Sequence, residues 1–175
     1  LNRKNLEAHQ LLALVHRLRG EPETARIALE ALLALDPLSP FARFEEARRE
    51  GSEASRRAFA SGIRGEMSQE TFLELGIWYH GLGRLAEGAE VLELAPPGAE
   101  VLYWLARMKD QANDAGAASL LQRAEAAPPL FVFPFRPESV EVLAWAAAKS
   151  GSWRPRYYLA LVHRGAGNLD QARRL

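Results

Sequence analysis

The chain contains no cysteine. That removes disulfides, thiolate metal sites and cysteine nucleophiles together, and it is consistent with a reducing cytosol. No apolar run is long enough to span a bilayer, and the N-terminus does not read as a signal peptide. Charge of one sign is missing too. Lys plus Arg equals Asp plus Glu at 22 each, so no global field draws the chain to nucleic acid or to an anionic membrane. There are only four histidines, His9, His16, His80 and His163. None forms the pair one helical turn apart, with an adjacent Glu, that a zinc protease needs. His9 and His16 could share a helix face, but nothing marks a third ligand. No Gly-x-Ser-x-Gly elbow and no glycine-rich phosphate loop is present. The expectation is a cytoplasmic protein that is not an enzyme, with no catalytic residue, no cofactor and no metal.

What is present is helix. Of the 175 residues, 48% are hydrophobic and 25% charged, ordinary values for a globular chain. Ala, Leu, Glu and Arg dominate, all strong helix formers, while Val, Ile and Thr are scarce. Over residues 5–19, Leu11, Leu12, Leu14, Val15 and Leu18 recur at helical spacing. Gly20 ends that helix in the left-handed conformation a C-terminal cap requires. Glu21, Pro22 and Glu23 open a second helix, which stops before Asp36-Pro37 because a residue preceding proline leaves the α region. Helix, glycine turn, helix, proline stop makes one hairpin. A second starts at Ser68, a candidate N-cap, and carries Phe72, Leu75, Gly76 and Tyr79, the turn Gly83, then Leu85, Val91, Leu92 and Leu94. A third holds Val101, Leu102, Trp104, Leu105 and Met108, a turn near Asn113-Asp114, then Ala117, Leu120, Leu121 and Ala124. A last one contains Tyr157, Tyr158, Leu159 and Val162, Gly165 and Gly167, then Ala172. Residues 41–49 and 52–60 read as a further, more degenerate hairpin.

These units resemble tetratricopeptide repeats, whose period is about 34 residues. Leu75, Gly76, Tyr79, Gly83, Gly88, Leu92 and Pro97 follow the repeat pattern. So do Leu12, Ala13, His16, Gly20, Ala25, Leu29 and Pro37, and again Leu159, Ala160, His163, Gly167 and Ala172. The third unit fits with a one-residue shift between its helices. The resemblance implies an all-α fold of antiparallel helix hairpins stacked into a right-handed α-solenoid. Gly76 and Ala160 would mark close helix crossings. On this reading residues 1–127 are repeat hairpins, 128–137 an extended Pro/Phe-rich linker, and 138–175 further helices ending in an incomplete unit.

The linker reads PPLFVFPFRP. Its prolines forbid a helix, and Phe131, Phe133 and Phe135 alternate onto one side of an extended segment. That strip either docks over the ends of adjacent helices, the favoured reading because an exposed strip invites aggregation, or meets another domain. With LELGIWYHGLGR, VLYWLA, FPFRPESVEVLAWA and WRPRYYLALVH, it is similar to a group of bacterial proteins. In these a mutarotase-like β-sandwich domain of unknown function precedes tetratricopeptide-like helices. That resemblance implies that the chain is the helical part alone and that any sugar site lies on the other domain.

The function expected is a non-catalytic scaffold for protein–protein or inter-domain contact. The partner is a protein or peptide segment, or an N-terminal β-sandwich domain of the same polypeptide, and neither nucleic acid nor membrane. The alternative is an accessory helical region of a larger carbohydrate-processing protein. Alignment to the repeat pattern places Glu7, Gln10, Arg17, Glu70, His80, Tyr103, Arg107, Tyr157 and Arg164 on a concave binding face. The tryptophans Trp78, Trp104, Trp145 and Trp153 read as core more readily than as partner anchors. Glu45-Glu46 and similar carboxylates read as solvated ion pairs among arginines. Charge is uneven along the chain. Glu66, Glu70, Glu74, Glu87, Glu90, Glu93 and Glu100 are accompanied by Arg84 alone, whereas Asp170 is the one acid among Lys149, Arg154, Arg156, Arg164, Arg173 and Arg174.

The chain starts at Leu1 without Met and stops at Leu175 inside an apparent helix, so a fragment of a longer protein is expected. Its last hairpin should then leave Tyr157, Leu161 and Val162 partly uncovered. Amide exchange faster from about Tyr157 onward than around Trp78 is the matching observation. Circular dichroism should show a dominantly helical protein, and a substantial β signal would overturn the reading.

Overall fold

A computed structural model describes residues 4–130 and 132–175. Among them every regular element is helical: eleven α-helices and no strand. The chain divides into two compact units at Glu66/Met67. The boundary therefore does not fall at the linker, and residues 128–137 lie inside the second unit.

The first unit holds α1 (Leu6–Leu18), α2 (Pro22–Leu35), α3 (Pro40–Glu50) and α4 (Glu53–Gly62). Its helix starts are built from side chains. Asn5, Ser39 and Ser52 each accept a backbone N–H of the first turn, from Ala8, Ala42 and Ser55. Pro22 and Pro40 occupy first-turn positions where the missing N–H costs nothing. Leu14, Leu29, Leu32, Phe41, Phe44 and Phe59 form the core, with the Phe44 and Phe59 rings 5.3 Å apart.

The second unit holds α5 (Ser68–Gly81), α6 (Leu85–Glu93), α7 (Ala99–Gln111), α8 (Ala117–Ala126), α9 (Ser139–Lys149), α10 (Arg154–Gly165) and α11 (Leu169–Arg174). α7 lies at its centre and contacts α5, α6, α8 and α9. That explains its composition: Val101, Leu102, Tyr103, Trp104, Leu105 and Ala106 are all buried, so the helix has no solvent face over this stretch. Ser68 does not cap α5. It is already the first helical residue, behind Met67, which gives no side-chain cap.

One turn recurs four times. Gly20, Gly83 and Gly167 take φ near 72°, 71° and 80°, and Asn113 takes 57°. After each, a backbone N–H reaches five residues back: Glu21 to His16, Arg84 to Tyr79, Asp114 to Lys109 and Asn168 to His163. This is the Schellman closure, which satisfies a terminal carbonyl and reverses the chain. Asn113 shows that the position requires a left-handed residue, for which glycine is one solution.

α5 and α6 approach closely through two glycines. A Cβ on Gly76 would meet the Leu92 side chain at 2.8 Å, and one on Gly88 would meet the Gly76 carbonyl oxygen at 2.9 Å. Ala160, on α10, is half-buried. Of the residues expected to be uncovered, Tyr157 is exposed but Val162 is buried. α11 buries none of its residues.

The two glycines should respond differently to substitution. Gly88→Ala drives a methyl into backbone and should destabilise the protein by ~1–3 kcal/mol, outweighing alanine's gain in helix propensity of ~1 kcal/mol. Gly76→Ala meets the buried Leu92 side chain and not backbone, so the neighbour can give by a small shift and the cost should be lower. Equal melting temperatures for Gly88→Ala and wild type would show that α5 and α6 are not in contact here.

Candidate functional site

In the second unit polar side chains tie α7 to α9 across 34 or 35 positions and α5 to α7 across 31. The Trp104 indole N–H donates to Ser139 Oγ at 3.1 Å across 35 positions. Arg107 Nη2 donates to Glu141 at 2.9 Å across 34 positions, and Trp145 Nε1 to Asp110 at 3.0 Å across 35. Buried Ser139 passes the chain on, its hydroxyl donating to Glu100 Oε1 at 2.8 Å. His80 sits edge-on to Trp104 at 5.2 Å and bonds Gln111 Oε1 through Nε2 at 2.9 Å.

Asp110 is the hub at the other end. Beside Trp145 it accepts from Lys149 at 3.2 Å and from Arg107 at 3.4 Å. Arg107 and Lys149 also stand 5.5 and 6.0 Å from the Trp145 ring centre. The carboxylate thus holds an aromatic ring and two cations in a fixed arrangement on the helix surface.

Local charge imbalance is resolved over distance. Glu70 pairs with Arg136 at 2.5 Å, 66 residues away, and Glu93 with Lys109 at 2.9 Å. Glu87 is buried and pairs with its neighbour Arg84.

The residues expected on one concave face fall into different settings. In the first unit Glu7 is exposed and Gln10 half-exposed, while Arg17 pairs with Glu45 at 2.8 Å. Glu45 is 4% exposed, so the expectation of a solvated carboxylate is wrong for it. In the second unit Glu70, His80 and Arg107 join the network above, and Tyr157 and Arg164 are exposed.

Tyr103 is a correction. It is 0% exposed and packs edge-on to buried Tyr158 at 6.1 Å, because α7 is covered on the side the repeat pattern assigned to the groove. Among the described residues its hydroxyl and that of Tyr158 have no hydrogen-bond partner. Burial, followed by the nearby Glu125 carboxylate, pushes the Tyr103 phenol well above its ordinary pKa.

The phenylalanine strip is another correction. Phe133 is 66% and Phe135 62% exposed, so neither docks over helix ends, and Phe131 lies outside the described residues. Phe135 stacks against Arg136, 4.6 Å from the ring centre, and Phe133 borders a cleft of about 290 Å³ with Glu70, Glu100 and Leu73. With Arg136 engaged by Glu70, the Phe133 and Phe135 rings face solvent. Of the tryptophans, Trp104 is core, Trp78 and Trp145 are half-buried, and Trp153 is 59% exposed.

Among the described residues no group of three or more His, Asp or Glu is placed to hold a metal ion. No helix there is long and apolar enough to cross a membrane. Glu100, Asp110, Gln111, Arg136, Ser139, Glu141, Trp145 and Lys149 were not singled out from sequence as one site. The available signal was that Ser139, Glu141 and Trp145 on α9 lie 34 or 35 positions after their partners on α7. No family model and no curated protein matches the chain.

Burial is the main cause that raises the Glu100 pKa above its ordinary 4.5; the Ser139 bond opposes it, neighbouring Glu70 adds to it, and Arg136 opposes it. Folded Glu100 therefore keeps its proton where the unfolded chain has lost it. The folded state binds more protons in that window, so stability falls as pH rises from about 4.5 through the raised value. Glu100→Gln should melt above wild type at about pH 8, with the gap closing at about pH 4. A gap that instead widens on acidification would reverse the assignment. Tyr103→Phe removes an unpartnered buried hydroxyl and should leave the melting temperature unchanged or higher.

Proposed function

We propose that the chain is a tetratricopeptide-like α-solenoid that serves, without catalysis of its own, as a cytoplasmic scaffold for an extended protein or peptide segment. Two features support the repeat assignment. The same left-handed turn with the same five-residue closure recurs four times, and three hydrogen bonds join residues 34 or 35 positions apart. Such turns and such cross-hairpin bonds are what stacked helix hairpins produce.

The observation that carries the binding role is the Arg107–Asp110–Trp145–Lys149 cluster. Its indole is held by Asp110 and flanked by two cations, and the ring is half-buried with its remaining surface open. Arg and Trp are the residues that anchor protein contacts, and anchoring is strongest when the side chain is already fixed before the partner arrives. Asp110 is engaged by three donors, from Arg107, Trp145 and Lys149, so the cluster is held ready for recognition of a partner.

Selection from a phage-displayed library of random dodecapeptides tests this reading. Peptides should be enriched on the immobilised chain, and Trp145→Ala should weaken their binding by about tenfold or more, the usual size of an anchor's loss. If no peptide is enriched, or if the selected peptides bind Trp145→Ala as they bind wild type, this cluster is not a recognition surface.

A further inference from the structure

The first unit carries a cleft that the scaffold reading leaves unused. It measures about 300 Å³ and opens among α1, α2 and α3. Ala13, Pro22, Ala25 and Leu29 give it apolar walls, and four guanidinium groups, Arg17, Arg26, Arg48 and Arg49, surround it against a single lining carboxylate, Glu45.

The charges are organised as well as numerous. Glu45 is buried on α3 and holds Arg17 of α1 at 2.8 Å, with Arg48 at 3.9 Å on its other oxygen. Arg48 also lies over the Phe44 ring at 5.8 Å. Arg26 is braced along α2 by Glu23 and Glu30. Arg49 is exposed and interacts electrostatically with Glu23. One buried carboxylate thus fixes guanidinium groups from two helices, and with Glu23 and Glu30 on Arg26 the four guanidinium groups face three carboxylates, an excess of one positive charge. Planar guanidinium forks match the paired oxygens of phosphate and carboxylate groups, and they do so best when held in place beforehand. The apolar walls add area for a non-polar body, and the volume lies at the lower end of the range for small-ligand sites.

We propose that this cleft binds a small ligand whose oxyanion, a phosphoryl or carboxylate group, sits among Arg17, Arg26, Arg48 and Arg49 while its apolar body rests on Ala25 and Leu29. Glu45 is a positioning residue: it sets the guanidinium geometry and repels a ligand that offers a second anion deep in the cleft.

Isothermal titration calorimetry on the full chain with phenyl phosphate, benzoate, inorganic phosphate and phenol tests the proposal. Phenyl phosphate or benzoate should bind saturably at one site, and the tighter of the two identifies the oxyanion. Inorganic phosphate should bind more weakly because it lacks the apolar body, and phenol should not bind. Arg49→Gln, a change at an exposed residue, should weaken binding by about tenfold, the worth of one charge-assisted fork. Arg57→Gln removes the same charge from α4, outside the cleft, and should leave affinity unchanged. No saturable binding of either aromatic oxyanion would overturn the proposal. So would an Arg49→Gln affinity equal to wild type, or an equal loss in Arg57→Gln, which would reduce the effect to general charge. None of these results bears on peptide recognition at Trp145, which lies in the other unit.

Discussion

The second unit depends on one requirement: a tryptophan at 2% exposure must find a partner for its indole N–H. A buried donor left unpaired costs ~1–3 kcal/mol. Trp104 meets the requirement with Ser139, the first residue of α9, and Ser139 in turn donates to Glu100 at the start of α7. That single chain of bonds fixes where α9 begins against α7. It also fixes where residues 128–137 must run, since they deliver Ser139 to its place. Arg136, three positions earlier, is brought to Glu70 on α5 by the same placement. The proline-rich segment is therefore a tether inside one unit and not a boundary between two.

The same arrangement sets a conflict between stability and exposed chemistry. Glu100 is held where burial and Glu70 disfavour its charge, although Ser139 and Arg136 partly compensate. Phe133 and Phe135 face solvent because the backbone is committed by Arg136 and Ser139 on either side of the turn into α9. Buried carboxylates in this protein have distinct roles. Glu87 closes a local pair with Arg84, whereas Glu45 organises arginines from two helices. In each case a guanidinium lowers the cost of burying the charge.

Much of the local structure was legible in advance. Most helix spans, the stop before Pro37 and the turns at Gly20, Gly83 and Gly167 follow from spacing and from backbone sterics within a few residues. The close crossing at Gly76 was legible as well, because a glycine among large apolar residues leaves room for another backbone. Tyr103 was misplaced for an equally physical reason. A repeat pattern says which residues lie on one face of a helix, but a central helix is covered on several faces, so the groove position on α7 became core. Glu45 was misread because alternating charge looks the same whether the helix face is wet or packed.

Sequence by itself determined that this protein is helical, where most helices lie to within a residue or two, and that glycine turns close several of them. Those features depend on φ, on capping and on neighbours three or four residues away, all local in the chain. Tertiary structure alone decided that Glu70 answers Arg136, that Trp104 rests on Ser139, that Tyr103 is buried while Phe133 and Phe135 are not, and that four arginines of the first unit share a cleft. These depend on how rigid helices slide and rotate against one another. A shift of one residue along a helix turns a side chain by about 100°, so helical spacing leaves the partner undetermined until the packing is fixed.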